Sequence, residues 1–402
     1  MKTIIDLFSG CGGLLEGFLK EGSYIPIASV EWKKEQIQNL RNRLLTHWNI
    51  INVDSCIQMD IQRTTELING WQNDKEYGSS LGLDHYVNTT GGKVNIIIGG
   101  PPCQAYSVAG RIRDENNMKD DYRNFLFESY LKIIDKYKPD FFIFENVQGI
   151  LSAKPGDKLV TDLISDAIKN INYSIISDLK NTVVDMADFG IPQSRKRVII
   201  LGVNNKKFSN PQDIIKKFYF EMLPSYKIKR KVTIEEAIGD LNKLFPVQEY
   251  KIGKKKFSHS FDINYSIKNH EPRYHNSRDI ELFKMLSEDA LKEVQVYKSS
   301  DSKNQLYYER TGKKTNVHKY HVLKYNDIST TICAHLKKDG LRYIHPDPTQ
   351  ARSITVREAA RLQTFDDSYE FITSQGANYE MIGNAVPPKF SYILAKILKE
   401  LY

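Results

Sequence analysis

Short apolar runs alternate with helical stretches along roughly the first half of the chain. The first run, at residues 3–7, leads into a cluster of glycines and then into a segment whose apolar residues recur at helical spacing. A set of similar runs follows at residues 24–30, 94–98, 140–144 and 197–203. Strands that alternate with helices are typical of an α/β fold with a largely parallel sheet. The pattern therefore predicts an α/β protein.

The middle of the chain, residues 206–350, follows a different pattern. It is rich in Lys, Tyr, Asn and Ser, and it contains basic clusters at residues 227–231 and 254–256. Its hydrophobic periodicity is weaker, and residues 233–236 fit a capping box, so we expect short helices here. Helical spacing returns near the C-terminus, where it predicts helices at residues 355–362 and 388–401.

These two patterns predict two domains, the second inserted into the first. The outer, catalytic domain comprises residues 1–205 together with residues 351–402, and the insert comprises residues 206–350.

Composition narrows the class of protein. With 402 residues, of which 41% are hydrophobic and 26% charged, the chain resembles ordinary globular proteins. Its net charge of +8 suits an anionic partner such as nucleic acid but does not require one. The four cysteines form no metal-type cluster, and no signal peptide or membrane-length apolar run is present. We therefore expect a cytoplasmic protein with no bound metal.

The glycine-rich turn after the first strand is a candidate cofactor site. Glycines at this point let a ligand approach the backbone closely, although such turns also need glycine for structural reasons alone. Glu31 ends the second strand, where a carboxylate can accept hydrogen bonds from ribose hydroxyls. The turn lacks the full dinucleotide spacing, so a nucleoside cofactor without phosphates fits better than a nicotinamide or flavin dinucleotide.

A cysteine follows the strand at residues 94–98, within the segment Gly-Gly-Pro-Pro-Cys-Gln-Ala-Tyr-Ser. Cys103 therefore lies at the carboxyl edge of the sheet, where ligands collect in α/β folds. A thiol in such a loop can be exposed and nucleophilic. For Cys11, Cys56 and Cys333 we prefer the ordinary interpretation, a small buried apolar side chain.

The next strand places Glu145 on the same edge of the sheet as Cys103. A thiolate nucleophile and a carboxylic acid together suit addition to an electron-poor ring with protonation of a ring nitrogen. Arg195 and Arg197 lie two residues apart at the start of a further strand, so both can face a phosphate or a carbonyl oxygen. A solvated basic strand edge is the alternative for this pair.

A set of sequence blocks resembles the C5-cytosine DNA methyltransferases, in the order that the family has them and across the whole chain. The blocks are DLFSGCGG at 6–13, EW at 31–32, DI at 60–61, GGPPCQAYS at 99–107, ENV at 145–147, QSRKR at 193–197, RSITVREAARLQTF at 352–365 and GNAVPP at 383–388. The resemblance implies a Rossmann-like, S-adenosylmethionine-dependent methyltransferase fold with an inserted target-recognition domain. Met59 replaces the usual glycine and Asp366 the common proline, which affects local loop geometry only.

The resemblance also implies a role for each matching residue. Cys103 attacks C6 of a flipped-out cytosine, Glu145 engages N3 as an acid, and Asn146, Arg195 and Arg197 hold the base and shape the site. The residues implied to bind S-adenosylmethionine are Phe8, Ser9, Gly10, Cys11, Gly12, Gly13, Glu31, Trp32, Asp60, Ile61, Pro102, Leu126, Asn384 and Val386. The residues implied to contact DNA in the loop after the cysteine are Gln104, Ser107, Arg111 and Arg113. The last block further implies that the C-terminal segment packs beside the first helix.

Duplex DNA is the expected partner, and the lysines, tyrosines, Arg273 and Arg278 of the insert are candidate contacts to it. An RNA cytosine methyltransferase is one alternative, but the subfamily that acts on transfer RNA has a Cys-Phe-Thr tripeptide that this chain lacks. A catalytically inactive DNA-binding relative is another, and it would not need Cys103, Glu145 and both arginines. A monomeric modification enzyme of a restriction system is the expected role, and a solitary regulatory enzyme would have the same sequence features.

Overall fold

The structure is a computed structural model that describes residues 1–101, 126–154, 158–317 and 319–402. The chain divides into two compact units, described separately below. The first unit comprises Met1–Phe189, Arg195–Lys229 and Ala385–Tyr402, and the second comprises Gly190–Ser194 and Arg230–Asn384. These borders differ from those of the predicted domains, because residues 206–229 pack with the first unit and residues 351–384 with the second.

The first unit is built on an eight-stranded sheet with the strand order β3-β2-β1-β6-β7-β10-β8, and β9 also pairs with β10. The strands from β3 to β7 in this order are parallel, and β10 runs antiparallel to β7, β8 and β9. The strands of this sheet are β1 (Lys2–Leu7), β2 (Tyr24–Glu31), β3 (Cys56–Gln58), β6 (Ile96–Gly99), β7 (Phe141–Val147), β8 (Tyr173–Ser174), β9 (Val183–Asp185) and β10 (Lys196–Asn204). A separate hairpin comprises β4 (Trp71–Asp74) and β5 (Gly78–Ser80). The predicted α/β class with a mostly parallel sheet is confirmed.

Helices cover this sheet, whose central strands are almost entirely apolar and buried. The α-helices of the first unit are α1 (Gly13–Glu21), α2 (Lys34–Thr46), α3 (Thr64–Asn69), α4 (Gly82–Thr89), α5 (Leu126–Tyr137), α6 (Val160–Asn170), α7 (Pro211–Lys216), α8 (Leu223–Ser225) and, after the second unit, α14 (Pro388–Glu400). A π-helical segment, Lys217–Met222, joins α7 to α8. Shorter 3₁₀ turns lie at Val53–Ser55, Gln148–Ser152, Leu179–Thr182 and Met186–Phe189.

The C-terminal helix packs directly against the first helix, as predicted. Gly17 of α1 allows this close approach, since a Cβ atom at Gly17 would lie 2.2 Å from the backbone nitrogen of Tyr392 in α14. The Ser391 hydroxyl donates a hydrogen bond to the Leu14 carbonyl. The two ends of the chain are thus held together inside one unit.

The second unit consists of short helices, one hairpin and irregular segments. Its helices are α9 (Ile234–Ile238), α10 (Ser277–Ala290), α11 (Ser300–Thr311), α12 (Val356–Leu362) and α13 (Gln375–Asn384), with a 3₁₀ turn at Ala334–Lys337. Its hairpin comprises β11 (Pro246–Ile252) and β12 (Lys255–His259). The predicted capping box is confirmed, because the Thr233 hydroxyl accepts from the Glu236 backbone and the Glu236 carboxylate accepts from the Thr233 backbone.

A buried polar network forms part of the interior of the second unit. At its centre Arg352 makes a two-pronged ion pair with Glu358, with Nη–Oε distances of 2.6 and 2.7 Å. Several histidines are buried around this pair, and three of them make ring hydrogen bonds of 2.9–3.2 Å to nearby backbone groups. These three are His259, His275 and His345. The network ties residues 345–358 to the rest of the unit, which explains why residues 351–384 do not separate with the sheet.

Candidate active site

The turn after β1 has a backbone that only particular residues tolerate. Phe8, Gly10 and Gly12 all have positive φ angles, of 57°, 57° and 83°. The Ser9 backbone nitrogen donates to the Val30 carbonyl at 3.0 Å, which holds the turn against the end of β2. Side chains beyond hydrogen are excluded at Gly12, since a Cβ atom there would lie 2.5 Å from Leu40 Cδ1. The result is a tight turn at the carboxyl edge of the sheet.

Glu31 is fixed beside this turn by hydrogen bonds to both of its carboxylate oxygens. Oε2 accepts from the Gly10 nitrogen at 2.9 Å, and Oε1 accepts from the Lys33 nitrogen at 2.9 Å. Burial raises the pKa of Glu31, and these backbone hydrogen bonds oppose that shift. Each oxygen retains a second acceptor position, so the oriented carboxylate can still receive two ribose hydroxyls.

The remaining predicted cofactor residues that the structure describes fall into two groups. Asp60 and Ile61 are brought next to Glu31, because the Met59 nitrogen donates to the Glu31 carbonyl at 3.2 Å. Trp32 is 47% exposed, so its indole ring is available to a ligand. The other group consists of Leu126 and Val386, both buried in the first unit, and Asn384, the exposed last residue of the second unit.

Asp6 is a further carboxylate at this edge of the sheet, and the sequence motifs predicted no role for it. It lies in β1, is 1% exposed, and neither of its carboxylate oxygens has a hydrogen-bond partner within the part of the chain that the structure describes. Burial and the nearby Glu31 raise the pKa of Asp6 well above its usual range. The turn itself, residues 8–13, contains no lysine or arginine that would pair with a phosphate. The turn, which lacks a basic residue, therefore fits a nucleoside cofactor without phosphates.

Glu145 lies at the same edge of the sheet, near the end of β7. Its Oε1 is 2.9 Å from Arg197 Nε, and the carboxylate is almost completely buried. The strand register explains this ion pair. Arg197 stands opposite Val147 and Glu145 opposite Ile199, so the two side chains are diagonal neighbours on one face of the β7–β10 pair. A Cβ atom on Gly100 would lie 2.8 Å from Glu145 Oε2, which places the carboxyl group beside the segment that leads to Cys103.

Asn146 and Arg195 are both buried, and both hold backbone segments of the first unit. Asn146 Nδ2 donates to the Pro101 carbonyl at 3.2 Å. Arg195 Nη2 donates to the Ala385 carbonyl at 2.9 Å. The sequence allows both Arg195 and Arg197 to face a phosphate or a carbonyl oxygen. In the structure Arg197 pairs with Glu145, and Arg195 donates to a backbone carbonyl of the chain itself.

Several predicted site residues fall on positions outside the described residues. These are Pro102, Cys103, Gln104, Ser107, Arg111 and Arg113. Two of the other cysteines, Cys11 and Cys56, are buried as expected, and burial raises the pKa of Cys56 to about 12. The expectation of full burial is wrong for Cys333, which is partly exposed and lies 3.1 Å from the Tyr343 hydroxyl.

The candidate arginines of the insert are engaged within the second unit. Arg273 Nη2 donates to the Leu336 carbonyl at 2.6 Å, and Arg278 lies 3.1 Å from Asp279 Oδ1. Among the described residues, no group of His, Cys, Asp and Glu side chains has an arrangement that could hold a metal ion. None of the described helices combines the length and apolarity needed to cross a membrane.

The mostly parallel sheet is that of an α/β protein, and the oriented Glu31 beside the glycine turn suits a nucleoside cofactor. The model of the family described as C-5 cytosine-specific DNA methylase matches residues 2–400. The chain therefore belongs to the C-5 cytosine-specific DNA methylase family, whose general reaction is methyl transfer from S-adenosylmethionine.

Individual relatives agree with this assignment. A type II methyltransferase of Bacillus paralicheniformis is 32% identical over 452 aligned positions, covering 99% of this chain and 98% of the relative. The type II methyltransferase M.DdeI of Desulfomicrobium norvegicum is 30% identical, with 98% and 88% of the two chains covered. Among solved structures, a protein encoded within an E. coli prophage aligns with a TM-score of 0.62 at 21% identity, covering 100% of this chain and 99% of that one. The structural likeness concerns the fold.

Proposed function

We propose that this enzyme methylates C5 of a flipped-out cytosine within a specific duplex DNA sequence, through a covalent bond between Cys103 and C6 of the base. We further propose that it is the modification enzyme of a type II restriction system. Two relatives support this role, since both are type II methyltransferases. It would act as a cytoplasmic monomer.

The observation that carries the proposal is the position of Glu145. Its carboxyl group is buried at the carboxyl edge of the sheet, with Oε1 paired to Arg197 and Oε2 beside Gly100, three residues before Cys103. A carboxyl group in this position can engage N3 of a base whose C6 faces Cys103. Because these atoms of cytosine are inaccessible in a stacked duplex, the base must leave the helix first.

The electron flow follows from these groups. The Cys103 thiolate forms a bond to C6 while Glu145, in its protonated form, delivers that proton to N3, and the displaced electron pair makes C5 nucleophilic. C5 then takes the methyl group. Removal of the C5 proton by a base returns the electron pair, breaks the Sγ–C6 bond and regenerates the thiolate, and N3 gives its proton back.

When bound, S-adenosylmethionine supplies an electrophilic methyl group on a sulfonium centre. Glu31 would hold the ribose hydroxyls with its free acceptor positions, because its orientation is already fixed by Gly10 and Lys33. Phe8 would pack on the adenine, Trp32 would lie with Glu31 on the ribose side, and Asp60 with Ile61 would lie at the adenine edge. The other residues assigned to this site are Ser9, Gly10, Cys11, Gly12, Gly13, Ile61, Pro102, Leu126, Asn384 and Val386.

We assign Asn146 and Arg195 as positioning residues. Asn146 holds the Pro101 carbonyl and thereby the approach to Cys103, and Arg195 holds the Ala385 carbonyl next to Val386. Arg197 would orient Glu145 and contact the base. The loop residues Gln104, Ser107, Arg111 and Arg113, together with the insert, would contact the DNA.

The test is transfer of tritium from labelled S-adenosylmethionine to duplex DNA and to total RNA in parallel. DNA from a host without cytosine methylation provides a broad choice of target sequences. We expect label in DNA only, recovered as 5-methyldeoxycytidine after digestion, and none with Cys103→Ala. Label in RNA alone would refute DNA as the substrate, and label in another nucleoside would refute the C5 reaction.

A further inference from the structure

A cavity of about 170 Å³ lies within the second unit, and its lining includes none of the catalytic or cofactor residues assigned above. A single water molecule needs about 10–15 Å³ of cavity volume defined in the same way, so this cavity has ample room for a phosphate group. The lining is basic and aromatic as well as apolar. The lining residues relevant here are Lys298, Lys303 and Lys324, with Tyr297, Tyr320 and Asp289.

Asp289 is the acidic residue of this lining, and its carboxylate is already used. Oδ1 accepts from the Val296 backbone nitrogen at 3.0 Å, and Oδ2 accepts from the Tyr297 nitrogen at 2.9 Å. Asp289 is also buried, so it acts as an anchor for the loop that follows α10. Three lysines and one carboxylate line the cavity, so its net charge is positive.

Two lysines of the hairpin in the same unit have acidic partners, whereas the three cavity lysines have none within the described residues. Lys255 and Lys256 of the β11–β12 hairpin are paired with Glu271 and Glu249. Within the described residues, the structure shows no carboxylate within 4.0 Å of the amino groups of the three cavity lysines. Burial, Lys324 and Arg342 lower the pKa of Lys303, because like charges converge on a partly buried ammonium group. A bound anion would reduce the repulsion between these positive charges.

We propose that this cavity binds a phosphate of the DNA backbone, with Lys298, Lys303 and Lys324 as its contacts. The proposal rests on the proposed function, because a DNA methyltransferase must hold duplex DNA. Three aliphatic side chains next to the cavity favour DNA over a small inorganic anion. Leu291, Val294 and Val296 are 69%, 85% and 65% exposed, and they offer a surface for deoxyribose and thymine methyl groups.

The experiment measures binding of a fluorescent 30-base-pair duplex of arbitrary sequence at several salt concentrations. An arbitrary sequence is suitable because phosphate contacts are independent of sequence. Each contact contributes about 0.9 to the slope of log K against log salt, which corresponds to about eightfold in Kd at 0.1 M salt. We expect each single Lys→Gln variant to lose up to this amount, and the triple variant to lose a slope of about 2–3.

Two controls separate this effect from general charge and from misfolding. Lys169→Gln removes one exposed charge from α6 in the first unit and should leave the slope unchanged. Lys303→Arg keeps the charge and should restore most of the affinity that Lys303→Gln loses. In methyl-transfer assays, the Lys303→Gln variant should show a raised KM for DNA with kcat at saturating DNA retained.

Methyl transfer by the wild type, measured in the same samples, tests the proposed function independently. Normal transfer together with an unchanged salt slope in the triple variant would overturn the phosphate site and leave the enzymatic function intact. The triple variant could also lose the thermal stabilisation that inorganic phosphate gives to the wild type while it keeps its DNA affinity. That result would overturn the proposal, because the cavity would then be a site for small anions.

Discussion

Acidification should destabilise the second unit through its buried histidines, among them His259, His275 and His345. Burial and Arg352 lower the pKa of His259 to about 4, and burial lowers the pKa of His275 and of His345 to about 3. Charges that face them include Arg273 next to His275, and Glu358 and Asp347 next to His345. The carboxylates oppose the downward shift at His345, but the desolvation of the ring outweighs them.

The sign of the effect follows from proton uptake. In the unfolded chain each histidine has an ordinary pKa near 6.5 and takes up a proton as the pH falls, whereas the folded unit keeps the ring neutral. Stability is therefore fully present above pH 6.5 and is lost as the pH falls toward 4 and 3. At pH 5 linkage gives about 2 kcal/mol for each histidine, or about 6 kcal/mol for the three. That is a large part of the 5–15 kcal/mol by which most domains are stable.

The first unit should respond less to acid than the second. The pKa values of Asp6 and Glu31 are raised, so their protonation favours the folded state as the pH falls, whereas those of Asp74 and Asp140 are lowered and act in the opposite sense. Fluorescence cannot compare the units, because all three tryptophans (Trp32, Trp48 and Trp71) lie in the first. Hydrogen exchange with mass spectrometry, corrected for intrinsic rates, resolves them.

We expect protection of residues 343–362 to fall between pH 7.5 and pH 5 by about 30-fold per histidine, while protection of β1 and β2 is kept. His345→Asn preserves an acceptor for the Asp347 nitrogen and should remove one histidine's share of the pH dependence. His47→Gln, an exposed control, should remove none. Equal pH dependence in both units, or none in the second, would refute the reasoning.

Three substitutions test other parts of the structure. Glu358→Gln leaves the buried Arg352 guanidinium without its counter-charge and should cost 3–5 kcal/mol in urea unfolding, roughly; a loss below about 1 kcal/mol would contradict a buried pair. Gly17→Ala should disrupt the contact between α1 and α14, since the new Cβ would lie 2.2 Å from the Tyr392 nitrogen, and an unchanged melting temperature would argue against this packing. Glu145→Gln should lower kcat by about 100-fold or more with little change in DNA affinity, as expected for loss of an acid; an affinity loss of equal size would make Glu145 a binding residue.

Individual strands and helix caps could be predicted from the sequence, because the residues that specify each of them are close together in the chain. The run at residues 3–7 became β1 (Lys2–Leu7), and the run at 24–30 became β2, ending at Glu31 as expected. The Thr233 capping box was found from four adjacent residues. By contrast, the reversed direction of β10 and the small β4–β5 hairpin were not predicted, since strand direction depends on chain crossings and the hairpin is largely polar.

Features assembled from distant residues could not be read in this way. The ion pair between Glu145 and Arg197 joins residues 52 positions apart and arises from the β7–β10 register. Clusters of adjacent lysines are visible in the sequence itself. Lys298, Lys303 and Lys324, by contrast, come close to one another only when α10, α11 and residues 320–324 fold together. The family resemblance identified the sequence blocks that carry catalysis. It gave no prediction of how the insert at residues 206–350 folds.

The covalent bond between Cys103 and cytosine C6 is the central claim, and trapping it is the most direct test. DNA amplified with 5-fluorocytosine in place of cytosine has no C5 proton to remove, so the elimination step cannot occur. With S-adenosylmethionine present, we expect wild type to form a complex with this DNA that survives denaturing electrophoresis, and Cys103→Ala to form none. A denaturation-resistant complex with Cys103→Ala, or methyl transfer to ordinary DNA by a wild type that forms no complex, would contradict the account.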